Sequence, residues 1–225
     1  MILSIETSTE VCSVAIHQDG KLIASSQSSE AYSHAEKLAP MIDDILRSNN
    51  IERKYLKSIA VSAGPGSYTG LRIGVSTAKG LCFALDIPLI TVGTLESMLE
   101  SVEPKEDHSL LCPMLDARRM EVYCLVGKSN GEVLEPKHPK IIYESSFEDH
   151  LKNHVVYFYG NGAEKCNTVI THQNVRFIDG ITPSAINIGK LASVKYENRE
   201  FDDLAYFEPE YLKAFHAIKA KNPLQ

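Results

Sequence analysis

Two acids in this chain stand at the ends of short apolar runs. Glu6 follows Met1–Ile5 and opens the polar turn Glu6-Thr7-Ser8-Thr9. Asp116 follows Leu110–Leu115 and opens Asp116-Ala117-Arg118-Arg119. A carboxylate at a strand end can direct a Mg²⁺ ion, and Thr7, Ser8 and Thr9 are donors that could hold a phosphate. A third feature is Gly64-Pro65-Gly66-Ser67, a tight turn entering a helix. Free backbone N–H groups and the helix dipole there favour an anion. Together these residues have the chemistry of nucleotide-dependent phosphoryl transfer. The alternative is structural: Glu6 accepts turn hydrogen bonds, the hydroxyls cap a strand end, and the glycine turn is simply tight. The loop lacks the spacing of a P-loop and of a dinucleotide-binding turn. Arg118-Arg119 also replaces a Gly- or Thr-rich phosphate turn in the second segment.

Other chemistries find less support. Of the eight histidines only His150 and His154 stand four apart, and without the H-E-x-x-H pattern that a metal hydrolase would use. A peptidase would need a nucleophile, a base and an oxyanion hole; Ser33 and His34 are only sequence neighbours. The five cysteines, Cys12, Cys82, Cys112, Cys124 and Cys166, are scattered among apolar segments with no C-x-x-C, and read as reduced and buried. No resident metal or cofactor is therefore expected, with ATP possible only weakly or at a subunit junction.

The elements that must position these groups are legible. The stretch from Ile59 to Leu85 organises the chain. Ile59–Val61 reads as a strand buried on both faces. Ser67 is placed to cap the following helix. That helix carries Gly66, Gly70, Gly74, Ala78 and Cys82 four apart, a flat line where another backbone can approach. Glycine inside a helix costs about 1 kcal/mol relative to alanine, so the flatness has a purpose. Ser33-His34-Ala35-Glu36 is a capping pattern for a helix to Arg47, with Leu38, Met41 or Ile42, Ile45 and Leu46 on one stripe.

The 225 residues suit one large or two small domains. With 44% hydrophobic and 23% charged residues, the balance is that of an ordinary folded domain. No apolar run approaches the about 20 residues of a membrane span, and the start lacks the pattern of a signal peptide. A cytoplasmic protein is expected. Net charge of −6 argues against a large nucleic-acid footprint. The densest basic groups are Arg118-Arg119 and the tail Lys213, Lys219 and Lys221.

The order β-β-β-α-β-α-β-α through residue 102 begins again after the polar stretch 103–108. Asp19-Gly20 is a hairpin turn in the first copy, and Asn130-Gly131 in the second. The spacing from acid to turn differs by one residue between the copies. This is an internal duplication. A repeated three-strand meander followed by α/β elements is the outline of the actin/hexokinase/Hsp70 class, with its ribonuclease H-like motif. The expected domains are 1–102 and 103–225. The piece Glu208–Leu212 reads as short and extended, and the sequence does not assign it a place in the fold.

Three stretches also resemble one family. AGPGSYTGLRIGVSTAKGLCFAL, ILSIETSTEVCSVAI and LDARRMEVY are together similar to the motifs of the TsaB (YeaZ) family of the TsaD-like superfamily. The resemblance implies the same fold and a non-catalytic scaffold. Such a subunit holds TsaD, which transfers a threonylcarbamoyl group to adenosine beside the tRNA anticodon. It implies TsaE and TsaC-type partners, a homodimer when alone, and only indirect contact with tRNA. TsaD binds its metal through two histidines four apart; the matching positions here are Thr94 and Met98. The resemblance also implies packing of the two early helices, Ser33–Arg47 and Ser67–Leu85, against a partner. The residues expected there are His34, Leu38, Met41, Ile45, Tyr68, Gly70, Leu71, Gly74, Val75 and Ala78, so that Gly74→Leu would split a dimer and leave the monomer folded. Rival expectations are an ATP-binding phosphotransferase using Glu6, Thr7, Ser8 and Asp116, and a glycoprotease-like metallopeptidase.

Overall fold

A computed structural model describes residues 1–29 and 34–213. The capping position Ser33 and the tail lysines Lys219 and Lys221 lie outside the described residues.

The first sheet is built from β1 (Ile2–Glu6), β2 (Cys12–Gln18), β3 (Lys21–Ser28), β4 (Ser58–Gly64) and β5 (Leu89–Gly93). Its order is β3-β2-β1-β4-β5. The first three strands form an antiparallel meander, and β4 and β5 run parallel to β1. Asp19 and Gly20 both take positive φ (51° and 74°), the turn geometry that matches strand twist. Two helices, α1 (His34–Ser48) and α2 (Tyr68–Leu85), precede and follow β4.

The alternation of β1 sorts its two faces. Leu3 and Ile5 join Val14, Ile16, Ile59 and Val61 on one face, which α1 and α2 cover with Leu38, Ile42, Ile45, Val75 and Ala78. Ile2 faces the other way, with Ala60, Ile90 and Val92 against Ile188 and Ala192. Each fully buried Leu or Ile here is worth about 1.5–3 kcal/mol of transfer free energy, which makes the strand–helix contacts the main source of rigidity.

After α3 (Thr94–Met98) and a 3₁₀ turn at Leu99–Ser101, the second sheet comprises β6 (Leu110–Asp116), β7 (Glu121–Gly127), β8 (Val133–Ile141), β9 (Val156–Tyr159) and β10 (Val175–Ile178). Its order is β8-β7-β6-β9-β10, with the same pattern of antiparallel and parallel neighbours. The duplication read from the sequence is thus realised strand for strand, in the arrangement of the actin/hexokinase/Hsp70 class. Its helices are reduced. A short α4 (Glu148–Leu151) stands before β9, and the helix that the repeated order predicts after the fourth strand is a three-residue 3₁₀ turn, Glu164–Cys166.

The final helix, α5 (Ala185–Glu197), does not stay with the second sheet. It packs on the first, through Ile188 and Ala192. Conversely, Leu95, Met98 and Leu99 from the first half pack against Leu111, Leu125 and Tyr159 of the second. The strands of the first sheet end at Gly93 and those of the second begin at Leu110, while packing exchanges helices between the two halves.

Candidate functional site

The end of β1 is enclosed. Glu6, Thr7 and Ser8 are buried, at most 1% exposed. Glu6 Oε1 accepts from the Ser8 N–H at 2.5 Å and from Ser62 Oγ at 3.1 Å. Its Oε2 is buried without a partner among the described residues. Desolvation raises the Glu6 pKa, against the opposing hydrogen bonds from Ser8 and Ser62. Thr7 Oγ1 donates to the Gly70 carbonyl at 2.8 Å.

What encloses it is α2. Ser67 caps this helix, its Oγ accepting from the Gly70 N–H at 3.2 Å. The Ser67 N–H donates to the Ser8 carbonyl at 2.6 Å. The Ser67 N–H that closes the glycine turn and the Gly70 N–H of the first helical turn are therefore engaged inside the chain. A Cβ on Gly70 would stand 2.1 Å from the Thr7 carbonyl oxygen, and on Gly74 2.3 Å from Thr7 Oγ1. On Gly66 it would stand 2.5 Å from the Ser8 carbonyl oxygen. The close approach predicted for the glycine line is real, but the backbone that approaches is this chain's own β1–β2 turn.

That corrects the expected partner surface. Gly70, Leu71, Gly74, Val75 and Ala78 are buried within the chain, as are Leu38 and Ile45 of α1. His34 is 6% exposed and its Nε2–H donates to the Thr9 carbonyl at 2.6 Å. Only Met41 and Tyr68 of the ten keep part of their surface in solvent. Overpacking at Gly74 would strike Thr7, so Gly74→Leu cannot leave the monomer intact. The outward faces include Ala35, Ala39, Pro40 and Asp44 on α1, and Thr69, Arg72, Ser76, Gly80, Phe83 and Ala84 on α2. Thr69, Ile73, Thr77, Gly80 and Ala84 form a second line of mostly small residues, three to four apart. That spacing was present in the sequence and overshadowed by the glycines. A Cβ on Gly80 would meet nothing within 4 Å.

The second acid has the opposite environment. Asp116 is exposed and pairs with Lys165, which stands on the 3₁₀ turn after β9. Lys165 Nζ also donates to the carbonyls of Arg119 (2.7 Å) and Glu121 (2.6 Å). Asp116 Oδ1 accepts from the Arg118 N–H at 2.9 Å. The structure thus does not present Glu6, Thr7, Ser8 and Asp116 as one open phosphate site: three are sealed beneath α2, and the fourth holds a lysine.

Thr94 and Met98 are fully buried. The Met98 carbonyl accepts from Tyr159 Oη at 3.0 Å, and the Met98 side chain belongs to the junction between the sheets. Among the described residues no group of three His, Cys, Asp or Glu is placed to hold a metal ion. All five cysteines are buried free thiols, and burial pushes Cys12, Cys82 and Cys166 up to about 11. No helix among the described residues is long and apolar enough to cross a membrane.

Arg72, to which the sequence assigns no part, is explained by geometry. Its guanidinium lies 4.1 Å from the Tyr68 ring centre, and its Nε–H donates to Tyr211 Oη at 3.1 Å. Tyr68 and Tyr211 stack with centroids 4.9 Å apart. This gives the segment Glu208–Leu212 its place: it lies along the N-terminal turn of α2.

Comparison with known proteins agrees with this architecture. The family model described as TsaD, tRNA N6-adenosine threonylcarbamoyltransferase, matches residues 22–220. The chain is 29% identical to the tRNA threonylcarbamoyladenosine biosynthesis protein TsaB of Haemophilus influenzae, over 94% of this chain and 93% of that protein. It is 31% identical to the protein of the same name from Buchnera aphidicola subsp. Schizaphis graminum, over 68% of this chain and 73% of the relative. The solved structure of YeaZ from Pseudomonas aeruginosa superposes with a TM-score of 0.80 at 25% identity, covering 94% of this chain and 99% of that one. On this combination of matched length, identity and topology, the chain belongs to the TsaB/YeaZ family of the TsaD-like superfamily.

Proposed function

We infer that this chain serves tRNA threonylcarbamoyladenosine biosynthesis as a scaffold subunit, supporting a TsaD-type threonylcarbamoyltransferase without carrying out the transfer itself. The observation that carries the reading is the state of the two strand-end acids. Glu6 lies beneath α2 with both of its neighbouring hydroxyl residues buried, and Asp116 is occupied by Lys165. Glu6 is closed to a nucleotide-bound metal, and Asp116 could reach one only in competition with Lys165. Thr94 and Met98, where the catalytic relative has its histidine pair, supply a buried hydroxyl and a thioether, a poor ligand pair for a hard metal.

The surface left for the work is the outer face of α1 and α2. Its small residues allow a partner helix to come close, and Gly80 stands open on it. Close helix approach buries area without ordering long side chains, which suits an interface. The partner is the TsaD-type subunit, or a second copy of the chain when alone; contact with tRNA is indirect, as the net charge of −6 suggests.

Sedimentation of the purified chain mixed with a TsaD-type transferase tests this. Wild type co-sediments, and Gly80→Arg, which fills open space without touching the core, abolishes association while thermal unfolding is unchanged. Undiminished association of Gly80→Arg would overturn the surface assignment. Threonylcarbamoyl transfer by the chain without its partner would overturn the scaffold reading.

A further inference from the structure

Besides the crossing of α5, two different kinds of link hold the sheets together. One is the apolar junction of Leu95, Met98 and Leu99 against Leu111, Leu125 and Tyr159, buried and continuous. The other is the segment 202–213, in which no residue is buried.

The near end of this segment is anchored on the first sheet. The Asp202 N–H donates to the Leu89 carbonyl at 2.9 Å, and Asp202 Oδ2 accepts from the Thr91 N–H at 2.7 Å. Lys79 Nζ donates to the Ala205 and Phe207 carbonyls at 3.0 and 3.2 Å, while Leu204 and Phe207 rest on the core. The far end crosses to the second sheet. The Glu210 N–H donates to the Ala63 carbonyl at 2.7 Å, at the end of β4. The Glu210 carboxylate pairs with Lys137 of β8, and Lys137 also pairs with Glu96 of α3 at 2.9 Å. Lys213 pairs with Glu121 of β7. Between these, Tyr211 stacks on Tyr68 and accepts from Arg72.

The sheet end is shaped for this visitor. Gly64 has φ of +114°, and a Cβ there would stand 2.7 Å from the Glu210 carbonyl oxygen. Yet the far end is held by part-exposed ion pairs and an exposed stack, which are individually weak and screened by salt. A segment with few buried apolar contacts opens before the core does. We propose that residues 208–213 are a releasable latch between the two sheets. Closed, it fixes their relative orientation and lies over the Gly64–Ser67 turn. Released, it removes that tie, leaves the apolar junction, the Lys137–Glu96 pair and the packing of α5 on the first sheet in place, and uncovers that turn. Arg72 and Lys137 are its keepers, one from each side.

Because Arg72 also lies on the outer face of α2, a partner seated there would act directly on the keeper. The latch itself does not depend on that docking and is testable in the chain alone. Amide exchange is measured on the whole chain, and the distance between spin labels on cysteines introduced at Gln18 and Asn130 is measured in parallel; the native thiols are buried. In Arg72→Ala and in Lys137→Ala, peptides spanning 208–213 should exchange at least about tenfold faster, with β4 and α2 peptides unchanged, as expected for local opening. The label distance distribution should broaden in both. Raised ionic strength should produce the same changes in the unsubstituted chain. Unaltered exchange in both variants would overturn the proposal. Faster exchange with an unaltered distance distribution would overturn it too, since the segment would then be a tail resting on the surface and not a link.

Discussion

The two sheets have the same order and the same strand directions, and both place an acid at the end of the first strand. They differ in their helices, and the difference that decides the fate of the acid comes after the fourth strand. In the first sheet the glycine turn leads into the 18-residue α2; in the second it leads into a three-residue 3₁₀ turn. The turn itself is shared. The Ser67 N–H donates to the Ser8 carbonyl, and the Gly162 N–H to the Met114 carbonyl at 3.0 Å. Gly66 and Gly162 both press on the end of the first strand of their own sheet. The fate of the acid depends on the helix. A long helix with glycines at Gly70 and Gly74 settles onto the Glu6 turn and buries it. The 3₁₀ turn buries Cys166 in the core but leaves the acid uncovered and presents Lys165, so Asp116 stays in water and is neutralised by charge. The same topology has thus disposed of two similar acids by opposite physical means: desolvation in one copy, ion pairing in the other.

The comparison is broken most violently at the glycines. Gly70→Ala and Gly74→Ala force a methyl into backbone or into Thr7, and each should lower stability by about 3 kcal/mol or more, at the upper end of overpacking penalties. Gly162→Ala meets the Leu115 carbonyl carbon at 2.7 Å and should cost less, about 1–3 kcal/mol. Urea unfolding followed by circular dichroism measures all three. Equal losses at Gly74 and Gly162 would mean that α2 contributes nothing beyond the shared turn.

A subtler test uses the buried acid. Burial raises the Glu6 pKa, so the folded state holds its proton more tightly than the unfolded chain does. Its contribution to stability is therefore fully present below the unfolded value of about 4.5 and is lost as pH rises through the folded value. Glu6→Gln removes this dependence. The stability difference, wild type minus Glu6→Gln, should be most favourable to wild type near about pH 4 and should fall as pH rises towards about 7. A difference independent of pH would contradict the desolvated carboxyl. Glu6→Ala, which strips the Ser8 N–H and Ser62 hydroxyl of their acceptor, should cost about 2–4 kcal/mol at neutral pH.

Much of this arrangement was open to reading from the chain alone. Strand alternation, the Asp-Gly and Asn-Gly turns and the repeated acid revealed the duplication, because period-2 patterning and turn chemistry are local. The Ser67 cap was likewise local. What escaped were facts of long-range packing. A glycine line says that something comes close, without saying whether it is another molecule or Thr7, far earlier in the chain. Leu38 and Ile45 are a core stripe by periodicity, yet the same stripe serves equally for an interface. The return of α5 to the first sheet, and of Tyr211 to Tyr68 and Arg72, joins residues far apart in sequence, and no local signal marks either. Lys165 as the partner of Asp116 also depended on how short the second copy's turn proved to be.

The exposed acid should give the smallest response. Asp116 and Lys165 form an ion pair with side chains 46% and 22% exposed, so Asp116→Ala should cost no more than about 1 kcal/mol, as partly solvated pairs usually do. Lys165→Ala loses the pair and also its hydrogen bonds to the Arg119 and Glu121 carbonyls, of which Glu121 keeps the Ala117 N–H; water can reach that edge of the hairpin and replace the lost donor, so about 1 kcal/mol is again the expected scale. The decisive quantity is the coupling between the two, read from a double-mutant cycle in urea at low and high salt. A coupling below about 1 kcal/mol that shrinks in salt is what a water-exposed charge pair gives. A large, salt-insensitive coupling would place Asp116 in an environment as dry as that of Glu6, and the contrast between the two sheets would then lie in the partner alone and not in the solvent.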